Sequence, residues 1–169
     1  PLTIDHSTVN ILKPFLQDRH PEAVIYTLNV MEQSDEVEAL KEALPGLLAH
    51  PSPRVRREAL ERIERLHMTA TLPAVRQLVN TETDVGVLEY GLRALAVLDD
   101  ERAYDTVARY LDAPEIPLRR GAIVGLLRKG GIKGTVAAGE RLMRLVDGAD
   151  TDGKELGAQI LRDVGMAAH

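Results

Sequence analysis

A chain of 169 residues is long enough to bury one substantial core and short enough to form one domain. Its 44% hydrophobic content includes no Trp, one Phe and no Cys, so the core is aliphatic, and disulfides and cysteine-based zinc sites are excluded. The net charge of −5 opposes general affinity for nucleic acid or anionic lipid, although residues 1–50 carry three basic and eight acidic side chains while 101–150 carry nine and seven.

The periodicity predicts helices along the whole chain. Ser7 can cap a first helix near 7–18 carrying Leu12, Phe15 and Leu16, and Pro21 opens a second near 21–33. A third, near 35–49, carries Leu40, Leu44, Leu47 and Leu48. Ser52 and Pro53 start a fourth over 53–67. Leu72, Val75, Leu78 and Val79 mark a helix near 70–80, followed by one near 84–98. Val107, Tyr110 and Leu111 lie in a helix near 100–112. The next, 116–129, begins at Pro117 and ends at Gly130 and Gly131. Val136, Leu142, Leu145 and Val146 belong to a helix near 133–147. The polar stretch Asp147–Gly153 separates it from a last helix near 153–166.

Alternate helices repeat one pattern. Leu28, Leu60, Leu92, Ile123 and Leu161 serve as anchors at intervals of 32, 32, 31 and 38 residues. Five residues before each stands Ala23, Val55, Val87, Leu118 and Leu156. Three after each stands Met31, Ile63, Leu95, Leu126 and Val164. Offsets of −5, 0 and +3 share one stripe of a helix, so these are the second (B) helices of five hairpins. The residue before each anchor is Thr27, Ala59, Gly91, Ala122 or Ile160, small in four cases, which suits close helix stacking.

The segment Leu47-Leu-Ala-His-Pro-Ser-Pro-Arg-Val-Arg-Arg-Glu-Ala-Leu60 resembles the consensus of HEAT and HEAT-like repeats, as does Asp112-Ala-Pro-Glu-Ile-Pro-Leu-Arg-Arg-Gly-Ala-Ile123. The resemblance covers almost the whole chain. It implies an all-α, right-handed α-α superhelix (a solenoid) of about five hairpins, near 7–33, 35–67, 70–98, 100–129 and 133–166, within a single domain 1–169. The repeat wording also looks like HEAT segments fused to bacterial transporter-like proteins related to nucleotide translocases. In the family, a turn Asp and an Arg after the Val form a ladder between repeats. Here the Arg matches at Arg56 and Arg119, whereas Val24, Leu88 and Gly157 hold the other places, and the turn positions are Asp18, His50, Glu82, Ala113 and Thr151. A continuous ladder is not expected.

Signals for chemistry are sparse. His20 and His50 precede prolines in consecutive turns and lack carboxylate partners in sequence, so they read as turn residues rather than metal ligands. His6, His67 and His169 are isolated. Asp150-Thr-Asp152-Gly153 fails as a calcium loop, because Gly148 and Gln159 occupy the acidic anchor places. Arg128-Lys-Gly-Gly-Ile-Lys-Gly134 lacks phosphate-loop spacing and reads as a turn. Glu61–Arg65 and Arg54–Glu58 are expected as helical pairs.

These readings give a non-enzymatic protein-interaction scaffold that uses the concave B-helix surface, with Arg56 and Arg119 as candidate protein-binding residues. No catalytic residue, metal or cofactor is expected. The partner is a protein or a neighbouring domain of the same polypeptide, with no nucleic acid and no direct membrane insertion, and the location is cytoplasmic. A chain that starts at Pro1 reads as a processed product or an excised segment. The alternative function is therefore a spacer or coupling domain inside a larger, transporter-like protein; a nucleic-acid-binding role ranks below both. The fifth hairpin, with the polar stretch and Gly153, Gly157 and Gly165, is expected to be the least stable.

Overall fold

The computed structural model describes residues 5–166, so Pro1 and His169 lie outside it. Ten α-helices follow one another with no strand among the described residues: α1 His6–Leu12, α2 Pro21–Gln33, α3 Val37–Leu47, α4 Pro53–Arg65 and α5 Leu72–Thr81, then α6 Val85–Asp99, α7 Tyr104–Val107, α8 Ile116–Lys129, α9 Gly131–Asp147 and α10 Thr151–Met166. Each odd helix packs on the even helix after it, giving five hairpins. The even, B-type helices also pack side by side, α2 on α4, α4 on α6, α6 on α8 and α8 on α10. Neighbouring A-type helices pack less closely than the B helices. The architecture is an all-α helical-repeat solenoid.

The B-helix boundaries agree closely with the sequence pattern, because proline at the first turn and an apolar stripe mark them together. The caps differ. Asp5, not Ser7, caps α1, its carboxylate accepting from Thr8 N–H at 3.0 Å. Ser52 stands at the cap position of α4 without a side-chain cap bond; its backbone N–H donates instead to His50 Nδ1 at 3.0 Å. Pro14 cannot donate to an α ladder, and α1 tightens into a 3-10 turn over Lys13–Gln17. The fourth A segment is not one helix. It passes through 3-10 turns at Asp100–Ala103 and Ala108–Tyr110 on either side of the single α turn of α7.

Of the anchors, Leu28, Leu60, Leu92 and Ile123 are fully buried, but Leu161 is 53% exposed. The reason is positional. Gly121 and Gly125, two residues either side of Ile123, face α6, so the anchor itself points between its own A helix and the following hairpin. No hairpin follows α10 among the described residues. Ile160, beside Leu161, is turned inward and fully buried.

The long fifth interval also has a different cause from the expected one. Only residues 148–150 lie outside helix, because α9 runs for 17 residues and α10 starts at Thr151. The Asp150 carboxylate accepts from the N–H groups of Asp152 at 3.2 Å and Gly153 at 3.3 Å, so the expected insertion is wound into the first turn of α10.

Asp100 ends α6 at φ 50°, ψ −134°, a backbone state that favours glycine. Asp100→Gly is expected to stabilise the fold by about 1 kcal/mol. Urea unfolding measures this, and a loss of stability would show that the Asp100 side chain holds the turn.

Candidate interaction surface

The turns that join the A and B helices within the first three hairpins carry a polar chain that crosses three repeats. His50 is buried, with its Nε2 donating to the Asp18 carbonyl at 2.8 Å and its Nδ1 accepting from Ser52. Its carbonyl accepts from Arg56 Nη1 at 2.8 Å, and Arg56 also grips Glu82 through two bonds of 2.9 Å. Asp18, His50 and Glu82 are thus linked in series, partly through backbone carbonyls where a turn carboxylate is missing. The series stops before Ala113, which has no polar side chain. His20 meets the Asp18 carboxylate at 2.8 Å, but both nitrogens of His50 are engaged, which leaves it no lone pair for a metal. Among the described residues no group of three or more His, Asp or Glu side chains is placed to hold a metal ion.

The exposed side of the B helices carries a second network. Glu89 on α6 is 3% exposed and accepts from Arg93 at 2.7 Å and from Arg120 on α8 at 2.6 and 2.7 Å. Arg93 continues to Asp163 at 3.0 Å, and Arg120 to Gln159 at 2.9 Å, both on α10. Burial alone would weaken the charge of Arg93, but Glu89 and Asp163 outweigh it and hold its pKa above the usual arginine range. For Arg120 the hydrogen bond to Glu89 acts in the same direction.

On α4, Arg62 is held by Glu58, Glu32 and Asn29. Glu64 pairs with Arg128, yet burial pushes its carboxyl above the ordinary glutamate range, and Arg128 and Arg93 offset only part of that shift. A raised carboxyl binds its proton more tightly when folded. Glu64 therefore favours the fold at acid pH, and that contribution fades as pH rises through the raised value.

Tyr90 lies within this network. The Arg57 guanidinium sits 4.5 Å from its ring centre and donates to its hydroxyl at 3.2 Å, while Arg93 lies 5.0 Å from the ring. Arg57 is exposed and pairs with no carboxylate among the described residues. An exposed cation on an aromatic face, among arginines already neutralised, is suited to receive a carboxylate or a polar peptide edge.

The two arginines singled out from sequence lie elsewhere, and apart. Arg56 is turned back into the turn ladder, with its side chain 17% exposed. Arg119 is half-buried near Asp112, and its Nε makes no hydrogen bond among the described residues. The sequence reading missed Tyr90 and Arg120 because it sought partners within one helix; Glu89 and Arg93, four residues apart, fit that pattern and were passed over. Arg65 pairs with Glu32 instead of Glu61, and Arg54 with Glu22 instead of Glu58. Opposite charges separated by 31 to 33 residues, one repeat period, are the signal that finds Arg54–Glu22, Arg65–Glu32 and Arg120–Glu89. A concavity of about 490 Å³ between hairpins one and two is on the other side of the stack, lined by Lys13, Gln17, Glu42 and Gly46.

The profile of the family described as HEAT repeats matches residues 40–128, from α3 to the end of α8. This chain belongs to the HEAT-repeat family. HEAT repeats generally serve as protein-interaction scaffolds and are typically non-catalytic. The matched stretch holds the turn ladder from His50 to Glu82 and the Glu89–Arg93–Arg120 cluster, while the first and fifth HEAT-like hairpins extend the pattern on either side. The match concerns the repeats and carries no link to a transporter. No curated protein and no solved structure matches the chain. Among the described residues, no helix is long and apolar enough to cross a membrane.

Proposed function

We propose that this HEAT-repeat chain is a non-catalytic scaffold that binds an acidic protein segment along the exposed face of its B helices. Stacked hairpins curve, and their B helices line an extended inner surface suited to a partner chain. The observation that carries the reading is the Arg57–Tyr90 pair, an exposed cation on an aromatic ring with no acid of its own. The surrounding Glu89–Arg93–Arg120 cluster supports it by holding Tyr90 in place.

Arg119, half-buried near Asp112, lies off this surface, so Arg57 is the cation offered to a partner. Arg56 acts by fixing the turn from which α4 departs, because its guanidinium is already bound to Glu82 and His50. That difference decides the experiment. Arg56→Glu would disrupt the turn, so its loss of binding would not separate contact from misfolding.

A photo-crosslinking residue in place of Glu61, one turn along α4 from Arg57, should capture a protein partner in cells, whereas one in place of Glu38, exposed on α3, should not. Adding Arg57→Glu should abolish that capture while leaving the thermal midpoint within a few degrees of the parent. Equal crosslinking from positions 61 and 38 would remove the B-helix face as the binding surface.

A further inference from the structure

The outer faces of the first and fifth hairpins each carry exposed apolar side chains. On α9, Ile132, Val136, Met143 and Val146 are exposed in a single stripe; Ile132 is 86% accessible. The opposite side of α9 is tied to the fourth hairpin, through Lys133 lying 4.4 Å from the Tyr104 ring centre and Arg141 bonded to Asp112 at 2.9 Å. The stripe therefore faces away from the stack, and the exposed anchor Leu161 of α10 joins it. In the 3-10 turn after α1, Lys13, Leu16 and Gln17 line the groove toward the second hairpin. Ile11 and Phe15 are half a turn away around the helix, and both are exposed.

The register of the B helices identifies the matching half. Two residues before its anchor, a B helix faces the preceding B helix: Gly121 lies against Glu89, Tyr90 meets Arg57 and Gln159 meets Arg120. Tyr26 holds that place on α2 and is 63% exposed. Leu161 holds, on α10, the place that a following hairpin covers at Leu28, Leu60, Leu92 and Ile123.

We propose that two copies of this chain stack head-to-tail, the first hairpin of one on the fifth hairpin of the next. A second copy is the occupant because it carries the face that each internal hairpin turns to its predecessor. Tyr26 then falls over Ala158, which stands where Arg57 stands on α4 and leaves room for the ring. Arg162 falls where Glu61 does, within reach of the phenol. The α9 stripe receives Ile11 and Phe15. Tail-to-tail contact would cover the stripe but leave Ile11, Phe15 and Tyr26 in water. A head-to-tail contact does not close on itself, so association is open-ended and grows with concentration.

Sedimentation velocity over a wide concentration range tests this with two variants. A tail variant carries Met143→Glu and Leu161→Glu; a head variant carries Phe15→Glu and Tyr26→Glu. All four side chains are exposed. The parent should pass beyond dimer, and each variant alone should remain monomeric. An equimolar mixture should form a one-to-one dimer and stop there, because each variant keeps the half that the other lacks. A parent that stays monomeric throughout, or a head variant that still dimerises, would overturn the proposal. Because the chain has no cysteine, Tyr26→Cys combined with Ala158→Cys gives a second readout. Oxidation should yield a ladder of disulfide-linked oligomers; linkage no greater than in a Glu38→Cys/Ala158→Cys control would equally overturn it.

Discussion

Glu89→Ala is expected to cost about 3 kcal/mol of folding stability, because it strips the carboxylate from two arginines held at the B-helix surface. Arg93 keeps Asp163 and Arg120 keeps Gln159, which places the cost at the lower end of the range for a broken buried pair. Glu89→Gln keeps the shape and one acceptor and should cost roughly half as much. Replacing Glu89, Arg93 and Arg120 together with apolar residues should recover much of the loss, since no buried charge is then left unpaired. Urea unfolding measures all three. A Glu89→Ala cost below about 1 kcal/mol would show that the arginines find water as readily as they find Glu89.

The second large effect is expected at Gly121. A Cβ there would stand 2.6 Å from the Glu89 carbonyl oxygen and 3.1 Å from the Glu89 Cα, so α8 must move off α6 to admit one. Gly121→Ala should cost about 2 kcal/mol even though alanine is favoured over glycine in a helix by about 1. Gly121→Leu should cost more than about 3 and separate the two halves of the stack. Gly139 on α9 is the control. Nothing lies within 4 Å of a Cβ built there, and Gly139→Ala should gain up to about 1 kcal/mol. If Gly121→Ala is as well tolerated as Gly139→Ala, the α6–α8 contact is looser than its geometry indicates.

The fold was legible where two signals coincide. Pro21, Pro53 and Pro117 each stand at the head of an apolar stripe, and α2, α4 and α8 begin there to within a residue. It was less legible where one signal stood alone. Val107, Tyr110 and Leu111 have helical spacing, but nothing in that pattern reports the 3-10 turns on either side of α7. The polar run after Asp147 looked like a loop because composition does not reveal that Asp150 can cap the next helix. The candidate surface was hardest to read. Arg57 and Tyr90 are 33 residues apart and become neighbours only when hairpins stack, so the local charge pattern around Arg57 suggested a self-paired helix. Arg56 and Arg57 are adjacent in the chain, yet the helix turns one into the turn ladder and the other onto the B face.

The unequal packing of the two layers has a mechanical consequence. The B helices are joined side by side by glycine contacts and ion pairs, whereas neighbouring A helices pack less closely and leave an open groove between α1 and α3. Strain applied to such a stack concentrates in the loose layer, while the B side holds its length like the spine of a fan. Curvature can then change by spreading the A helices with little loss of buried area, and a bound segment would feel a track of nearly constant length but adjustable bend.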